Sequence, residues 1–309
     1  MAIELNRRTL AAGLLAAMGA GATSPAFAQA SRFGRLDRRE SQYNTIFVDQ
    51  QGPYVAMRFG VNTVIYTESL YNPADASELP VSYTRYLTAT LAYTPACNNI
   101  LEIGLGGGRT ASYLHDFLPT AQVTCAELDP EVIALAQRYF GVQPDNRLHL
   151  VERDGRIFVR GSRDRYDIVL VDAYRGTFVP FHLTTREFYT SVKNKLNPGG
   201  VVAQNISPDV LSLDDVTATL KAVFAHVDRY QSDGNVVLIG YDGPAKTTAQ
   251  LNARAAAFRL PRPFRYPLAE MVARREADVP HGTGRVLTDD FAPVEYQSAI
   301  ARGNARHPQ

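Results

Sequence analysis

The sequence predicts an α/β protein: a mostly parallel sheet with helices on both faces and an antiparallel edge strand, preceded by a small β domain. Three observations carry this reading. From Asn99 onward, short apolar runs alternate with stretches of helical period. Before that, from Ser41, short segments rich in β-branched and aromatic residues follow one another with glycine breaks. The last two apolar runs are joined only by Ser232-Asp233-Gly234, a hairpin-length connection that reverses the final strand.

The chain has 309 residues, room for one large domain or two smaller ones. Hydrophobic residues make up 45% and charged residues 20%, a globular balance, and a net charge of +1 gives no basic field for nucleic acid. The N-terminus is read as a signal peptide over residues 1–30. Arg7-Arg8 is a twin-arginine pair, Leu10 to Ala22 is apolar but short for a bilayer, and small residues offer cleavage after Ala28 or Ala30. The expectation is an exported, periplasmic protein with no stable membrane anchor after cleavage, or a cytoplasmic one if the signal is unused. Cys97 and Cys125 make neither a disulfide framework nor a zinc site. They fall before and within neighbouring strands, where the stagger is poor for a bridge.

Three further segments are expected: a small β domain over 31–80, an α/β domain over 81–245 and a helical, then irregular, extension over 246–309. "SRFGRLDRRE" reads as a loose charged lead-in. "SQYNTIFVDQ", "PYVAMRFG" and "VNTVIYTE" read as antiparallel strands, and "PVSYTRYLTATLAYT" as a helix. "NILEIG", "AQVTCAELD", "RLHLVERD", "YDIVLVDAY" and "VVAQNI" are the parallel strands. The helices between them include "PEVIALAQRYF", which Pro130 starts at its first position, and "TTREFYTSVKNKL", which Asn197-Pro198-Gly199-Gly200 ends. "HVDRYQ" and "NVVLIGY" close the sheet as the hairpin. A reversed last strand separates a methyltransferase-type sheet from a plain dinucleotide fold, though both are Rossmann-type.

In such a sheet ligands sit at the carboxyl ends of the strands. The first strand ends in "ILEIGLGGGRT". Gly104, Gly106, Gly107 and Gly108 permit close backbone approach, and the helix they open aims N–H groups at a ligand. Arg109 stands where a dinucleotide fingerprint wants its third glycine. The pattern is instead acid-x-G-x-G, with Glu102 ahead of Gly104, which favours an adenosyl ligand without a pyrophosphate. Glu127 ends the second strand, where an acid accepts ribose hydroxyls. Asp154-Gly155 ends the third, placed for an adenine amino group or for a plain turn. Asp172 ends the fourth at the cleft mouth, where a carboxylate orients or deprotonates a nucleophile. Tyr174 belongs to the same cluster. His182, Asp289 and Asp290 read as loop or capping residues, and His115 and His149 as surface.

With these motifs in this order, the chain from about Ser41 to Gly240 resembles the spermidine synthase family, the polyamine aminopropyltransferases. "SQYNTIFV", "ILEIGLGGG", "CAELD", "ERDG", "YDIVLVDAY" and "FYTSVKNKLNPGGVV" carry the resemblance. It implies a small N-terminal β domain on a methyltransferase-like sheet, and a homodimer. It also implies transfer of an aminopropyl group from decarboxylated S-adenosylmethionine to a small amine, leaving methylthioadenosine, with no metal. By position, Glu127 would bind ribose, Asp154 adenine, and Asp172 would be the base on the attacking amine. Three positions depart. Gly107 replaces the acid that grips the aminopropyl ammonium. Arg175 replaces a second acid of the gate loop, and Asn44, on the nucleoside side, replaces a glutamine. "DAYRGTFVPFHLTTREF" and "LTDDFAPVEY" are similar to divergent spermidine synthase-like domains.

Two other readings follow from the departures. One is a methyltransferase using S-adenosylmethionine itself, with Arg109 or Arg175 on the donor carboxylate. The other is an exported, non-catalytic protein that binds a nucleoside or polyamine.

Overall fold

The computed structural model describes residues 33–61, 64–175, 179–208, 213–258, 260–280 and 282–290. The expected signal peptide, with both cleavage positions, lies outside the described residues, as does the end of the C-terminal extension from 291. No helix among the described residues is long and apolar enough to cross a membrane.

A four-stranded antiparallel meander opens the fold: β1 (Phe33–Glu40), β2 (Thr45–Gln51), β3 (Tyr54–Val61) and β4 (Val64–Tyr71), paired in chain order. The charged lead-in is therefore a strand, not a loose segment. Its sequence hides this because nearly every β1 side chain is exposed, Phe33 at 73%. No alternation marks it, and its charges blunt an edge. Asp49, buried on β2, pairs with Arg35 of β1 and Arg58 of β3, which ties three strands together.

The large sheet has β5 (Asn99–Ile103), β6 (Gln122–Glu127), β7 (Leu148–Glu152), β8 (Tyr166–Val171), β9 (Leu196–Ile206), β10 (His226–Gln231), β11 (Val236–Tyr241) and the two-residue β12 (Arg275–Glu276). Their spatial order is β12-β10-β11-β9-β8-β5-β6-β7. Strands β5 to β9 pair in parallel. The expected hairpin forms between β10 and β11, and β11 runs antiparallel to β9. The reversed strand thus sits two places in from the rim, with β10 and β12 outside it.

Helices cover both faces: α1 (Ser82–Leu87), α2 (Arg109–Phe117), α3 (Pro130–Tyr139), α4 (Gly155–Gly161), α5 (Arg186–Lys193), α6 (Leu213–Lys221), α7 (Thr248–Ala257) and α8 (Leu268–Val272). Strand periodicity divides the core. Ile100, Ile168 and Val201 face one apolar cluster, while Leu101, Val169 and Val202 face the other. Every residue of β8 is buried, as a strand covered on both faces requires. Pro130 begins α3 behind an Asp129 cap, as expected. Helix α5 stops at Lys193, before the Asn197–Gly200 stretch expected to end it, which lies instead in the opening of β9. Cys97 and Cys125 are both free thiols.

Candidate active site

The strand order reverses between β5 and β8, and the cleft opens at their carboxyl ends. Gly104 explains how the two ends come so close. Its φ is +91°, and a Cβ there would lie 2.5 Å from the Asp172 backbone oxygen. Only glycine fits both demands. The loop that follows is tied down on two sides. Leu105 N–H donates to Glu127 Oε2 at 2.8 Å, and Gly107 N–H donates to Ser69 Oγ at 2.8 Å. Ser69 comes from β4, so the small sheet closes the loop from above. The result is a cleft of about 330 Å³ lined by both sheets.

One half of this cleft suits a nucleoside. Glu127 ends β6, with Oε1 accepting from Asp129 N–H at 2.9 Å and Oε2 from Leu105. Burial pushes its carboxyl up against the pull of these N–H groups. The two bonds fix its direction and leave lone pairs for hydroxyl donors. Asp154 caps α4 through Ile157 N–H at 2.9 Å, and its other oxygen lies 2.8 Å from His182 Nε2. That histidine bond, with the cap, holds the carboxyl below its ordinary value. Asn44 lines the same half, and its Oδ1 is buried without a partner among the described residues. An orphan of this kind is placed for a ligand donor.

The other half carries a buried carboxyl group. Asp172 accepts from Asn205 Nδ2 at 2.7 Å on one oxygen and from Tyr83 O–H at 3.1 Å on the other. Asn235 Nδ2 in turn donates to Asn205 Oδ1 at 3.0 Å and orients that amide. Burial raises the Asp172 carboxyl to about 7, against the two hydrogen bonds that lower it. A base poised there is half ionised near neutral pH and accepts a proton readily. Tyr174 follows it, its buried hydroxyl near Asn235 and the Ser207 backbone. Burial first, then Asp172 and Glu68, push that phenol far up, so it stays protonated.

The spermine/spermidine synthase domain family matches residues 82–233. A polyamine aminopropyltransferase of Vibrio vulnificus (strain CMCP6) is 30% identical over 271 residues, covering 84% of this chain and 90% of that protein. This chain belongs to the spermine/spermidine synthase family. A probable spermidine synthase from Corynebacterium glutamicum shares the fold, with TM-score 0.65 at 18% identity over 84% of this chain and 98% of the other. Human methyltransferase-like protein 13, solved with SAH, gives 0.52 at 23% identity over 70% and 98%. The family's small sheet and methyltransferase-like sheet are the two sheets described above.

Within this spermidine synthase fold, Asn44, Gly104, Gly106, Glu127, Asp154, Gly155, Asp172 and Tyr174 all line the one cleft. Glu102 and Gly108 do not. Glu102, expected on the ligand side, is 2% exposed and lies beneath the loop, its Oε2 3.9 Å from Cys125 Sγ. Strand alternation turns it away from the mouth, and burial pushes its carboxyl well above the ordinary value. Gly108 caps α2, and a Cβ there would meet Val142. The space a side chain at Gly107 would need is filled by Phe140 and Ser69. Arg109 is buried, donates to the carbonyls of Phe140 and Ala76, and stacks over Tyr71. Its two terminal nitrogens are taken by backbone carbonyls, and it does not line the cleft. Arg175, by contrast, is exposed at the cleft. Asp289 pairs with Arg156 and accepts from Thr185 Oγ1 at 2.8 Å, which holds the last described turn onto α4 and α5.

Sequence reasoning missed Tyr83, Asn205, Asn235, Glu68 and Ser69, and undervalued His182. Asn205 carried a signal. Gln204 and Asn205 stand side by side in the otherwise apolar second half of β9, and both are 0% exposed. Buried amides need partners, and Asn205 donates to Asp172.

Proposed function

We propose that this chain is an aminopropyltransferase: it binds decarboxylated S-adenosylmethionine and passes the aminopropyl group to a small amine acceptor. The observation that carries this reading is the Asp172–Tyr83–Asn205 cluster at the end of the nucleoside half. Asp172 takes a proton from the attacking ammonium. The freed amine lone pair attacks the carbon beside the sulfonium, a C–N bond forms, the C–S bond breaks, and methylthioadenosine leaves. Alignment of the two substrates supplies much of the acceleration. Glu68 stands beside Asp172, and its own carboxyl is pushed well up by burial and by the Asp172 charge. An acidic, desolvated end of this kind disfavours a donor that keeps its carboxylate.

Calorimetric titration with decarboxylated S-adenosylmethionine, S-adenosylmethionine and methylthioadenosine tests the reading. Preference for the decarboxylated donor supports it. Preference for the intact donor turns the reading to methyl transfer, which the acid-free Gly107 and the exposed Arg175 at the cleft favour. Failure to bind any of the three leaves a non-catalytic binding protein. Export through the Arg7-Arg8 leader is a separate proposal, checked by cell fractionation and N-terminal sequencing of the mature protein.

A further inference from the structure

The side chain of Glu68 is the least explained group near the cleft. It projects from β4 of the small sheet, and its Oε1 is buried with no hydrogen-bond partner among the described residues. A buried, unpartnered carboxylate oxygen costs stability, and its persistence points to a ligand. Its position is as informative as its loneliness. Glu68 borders the nucleoside cleft. It also borders a second chamber of about 210 Å³, on the far side of Tyr83 and Tyr174, whose wall includes Thr67, Asn205, Ser207 and Asn235. Glu68, Tyr83 and Tyr174 are common to both spaces, so they form the partition between them. Glu68 is the one acidic side chain on the described wall of that chamber; the rest is neutral, hydroxyl- and amide-rich.

Resting on the aminopropyl-transfer reading, we propose that Glu68 anchors the acceptor: a primary amine enters through the second chamber and its ammonium is held between Glu68 and Asp172. Three facts fit together here. Arg175, exposed at the same cleft, has the wrong sign for a cation, so the acceptor's positive charge must find its counter-ion elsewhere. The Asp172 oxygens are each already engaged, by Asn205 and Tyr83, and a second carboxylate supplies the free acceptor lone pairs an ammonium needs. Burial and the Asp172 charge disfavour the charged form of Glu68 in the empty protein, and an arriving cation favours it, which an uncharged acceptor would not do. Once the ammonium has lost its proton to Asp172, the nucleophile sits at the partition, facing the donor in the cleft.

The test uses the full chain saturated with methylthioadenosine and titrated calorimetrically with 1,4-diaminobutane and with n-butylamine. Glu68→Gln and Glu68→Asp are compared with wild type. The expected result is a loss of amine affinity of about 10- to 100-fold in Glu68→Gln, the range for a charge-assisted bond, with part retained in Glu68→Asp. Methylthioadenosine affinity stays within about twofold in the same samples, by the same bookkeeping of lost contacts. In turnover assays the loss appears in the acceptor KM more than in kcat. Unchanged amine affinity in Glu68→Gln overturns the assignment and leaves the transfer reading standing. So does a loss confined to the decarboxylated donor, which would place Glu68 on the donor's chain. If Glu68→Gln loses methylthioadenosine too, Glu68→Asp decides on the same criteria. A wild type that binds methylthioadenosine but neither amine overturns both the anchor and the amine acceptor. A wild type that binds no nucleoside removes the transfer reading itself.

Discussion

The two halves of the cleft handle their carboxylates in opposite ways. On the nucleoside half, Glu127 is locked by two backbone N–H groups, and Asp154 by a helix cap and His182. On the half proposed for the acceptor, Asp172 is raised to about 7 and Glu68 keeps an oxygen with no partner among the described residues. The first pair is built into the backbone of the fold, so its geometry is fixed before any ligand arrives. The second pair is held at an electrostatic cost to the empty protein. Such a cost is tolerated where a group must change its protonation state during work.

The comparison breaks most visibly at Asp172. On the transfer reading, Asp172→Asn lowers turnover by about 10²- to 10⁴-fold, the usual worth of a positioned general base. Methylthioadenosine binding is expected to survive, because the nucleoside half does not depend on this carboxylate. Unchanged turnover would remove Asp172 from the chemistry. The same variant should also stabilise the ligand-free protein. The sign follows from the folded carboxyl lying at about 7, above its ordinary value of 3.8. The unfolded chain ionises first, so stability falls as pH rises from about 4 to about 7, and the deficit is full above 7. A neutral amide lacks that deficit. A melting temperature a few degrees above wild type at pH 8 is expected, about 1 kcal/mol or more in stability.

Gly104→Ala attacks the joint between the halves. A Cβ 2.5 Å from the Asp172 backbone oxygen, on a residue at φ +91°, must push β5 away from β8. A loss of about 2–4 kcal/mol is expected from strain and displaced packing, read by urea unfolding. Gly108→Ala is a useful companion, since its clash is with the side chains of Val142 and Leu105. Both variants testing equal would mean that the β5–β8 approach is not what Gly104 serves.

How much of this was legible before folding depends on which half one asks about. Of the residues named from sequence for the nucleoside, all but Glu102 and Gly108 line the cleft, because acids at strand ends and the spacing of glycines are local signals. The acceptor half was read only through Asp172 and Tyr174. Its other members come from α1, β4, β9 and the turn before β11, and nothing in their local sequence says that they meet. Tyr83 lies on a helix whose aromatics look like core, and Glu68 on a strand that looks like half-exposed sheet. Glu102 failed for the converse reason. It lies in the right motif, yet the period of two turns it under the loop. The charged strand β1 was missed because exposure on nearly every residue erases the alternation by which strands are recognised.

Tyr83→Phe sharpens the acceptor half more gently. Its hydroxyl donates to Asp172 and is one of the two bonds that lower that carboxyl. Removing it raises the carboxyl further, so the pH at which kcat/KM reaches half its maximum moves upward from about 7. Because the base must be ionised to act, activity near pH 7 falls while activity at pH 9 approaches that of wild type. A profile that drops equally at all pH values would mean that Tyr83 positions the acceptor and leaves the titration of Asp172 untouched.

The smallest effect is expected at His182, on the locked side. Its Nε2 lies on the Asp154 oxygen that the helix cap leaves free. If the bond is a latch that adenine must share or displace, His182→Ala frees the oxygen, and methylthioadenosine binds up to about tenfold tighter, the net worth of one hydrogen bond. The Asp154 carboxyl, held low chiefly by His182, then titrates closer to its ordinary value. If the imidazole instead belongs to the adenine contact, affinity falls by a similar factor. The two outcomes differ in sign, so even this small change decides whether the nucleoside half is complete in the empty protein or is finished by its ligand.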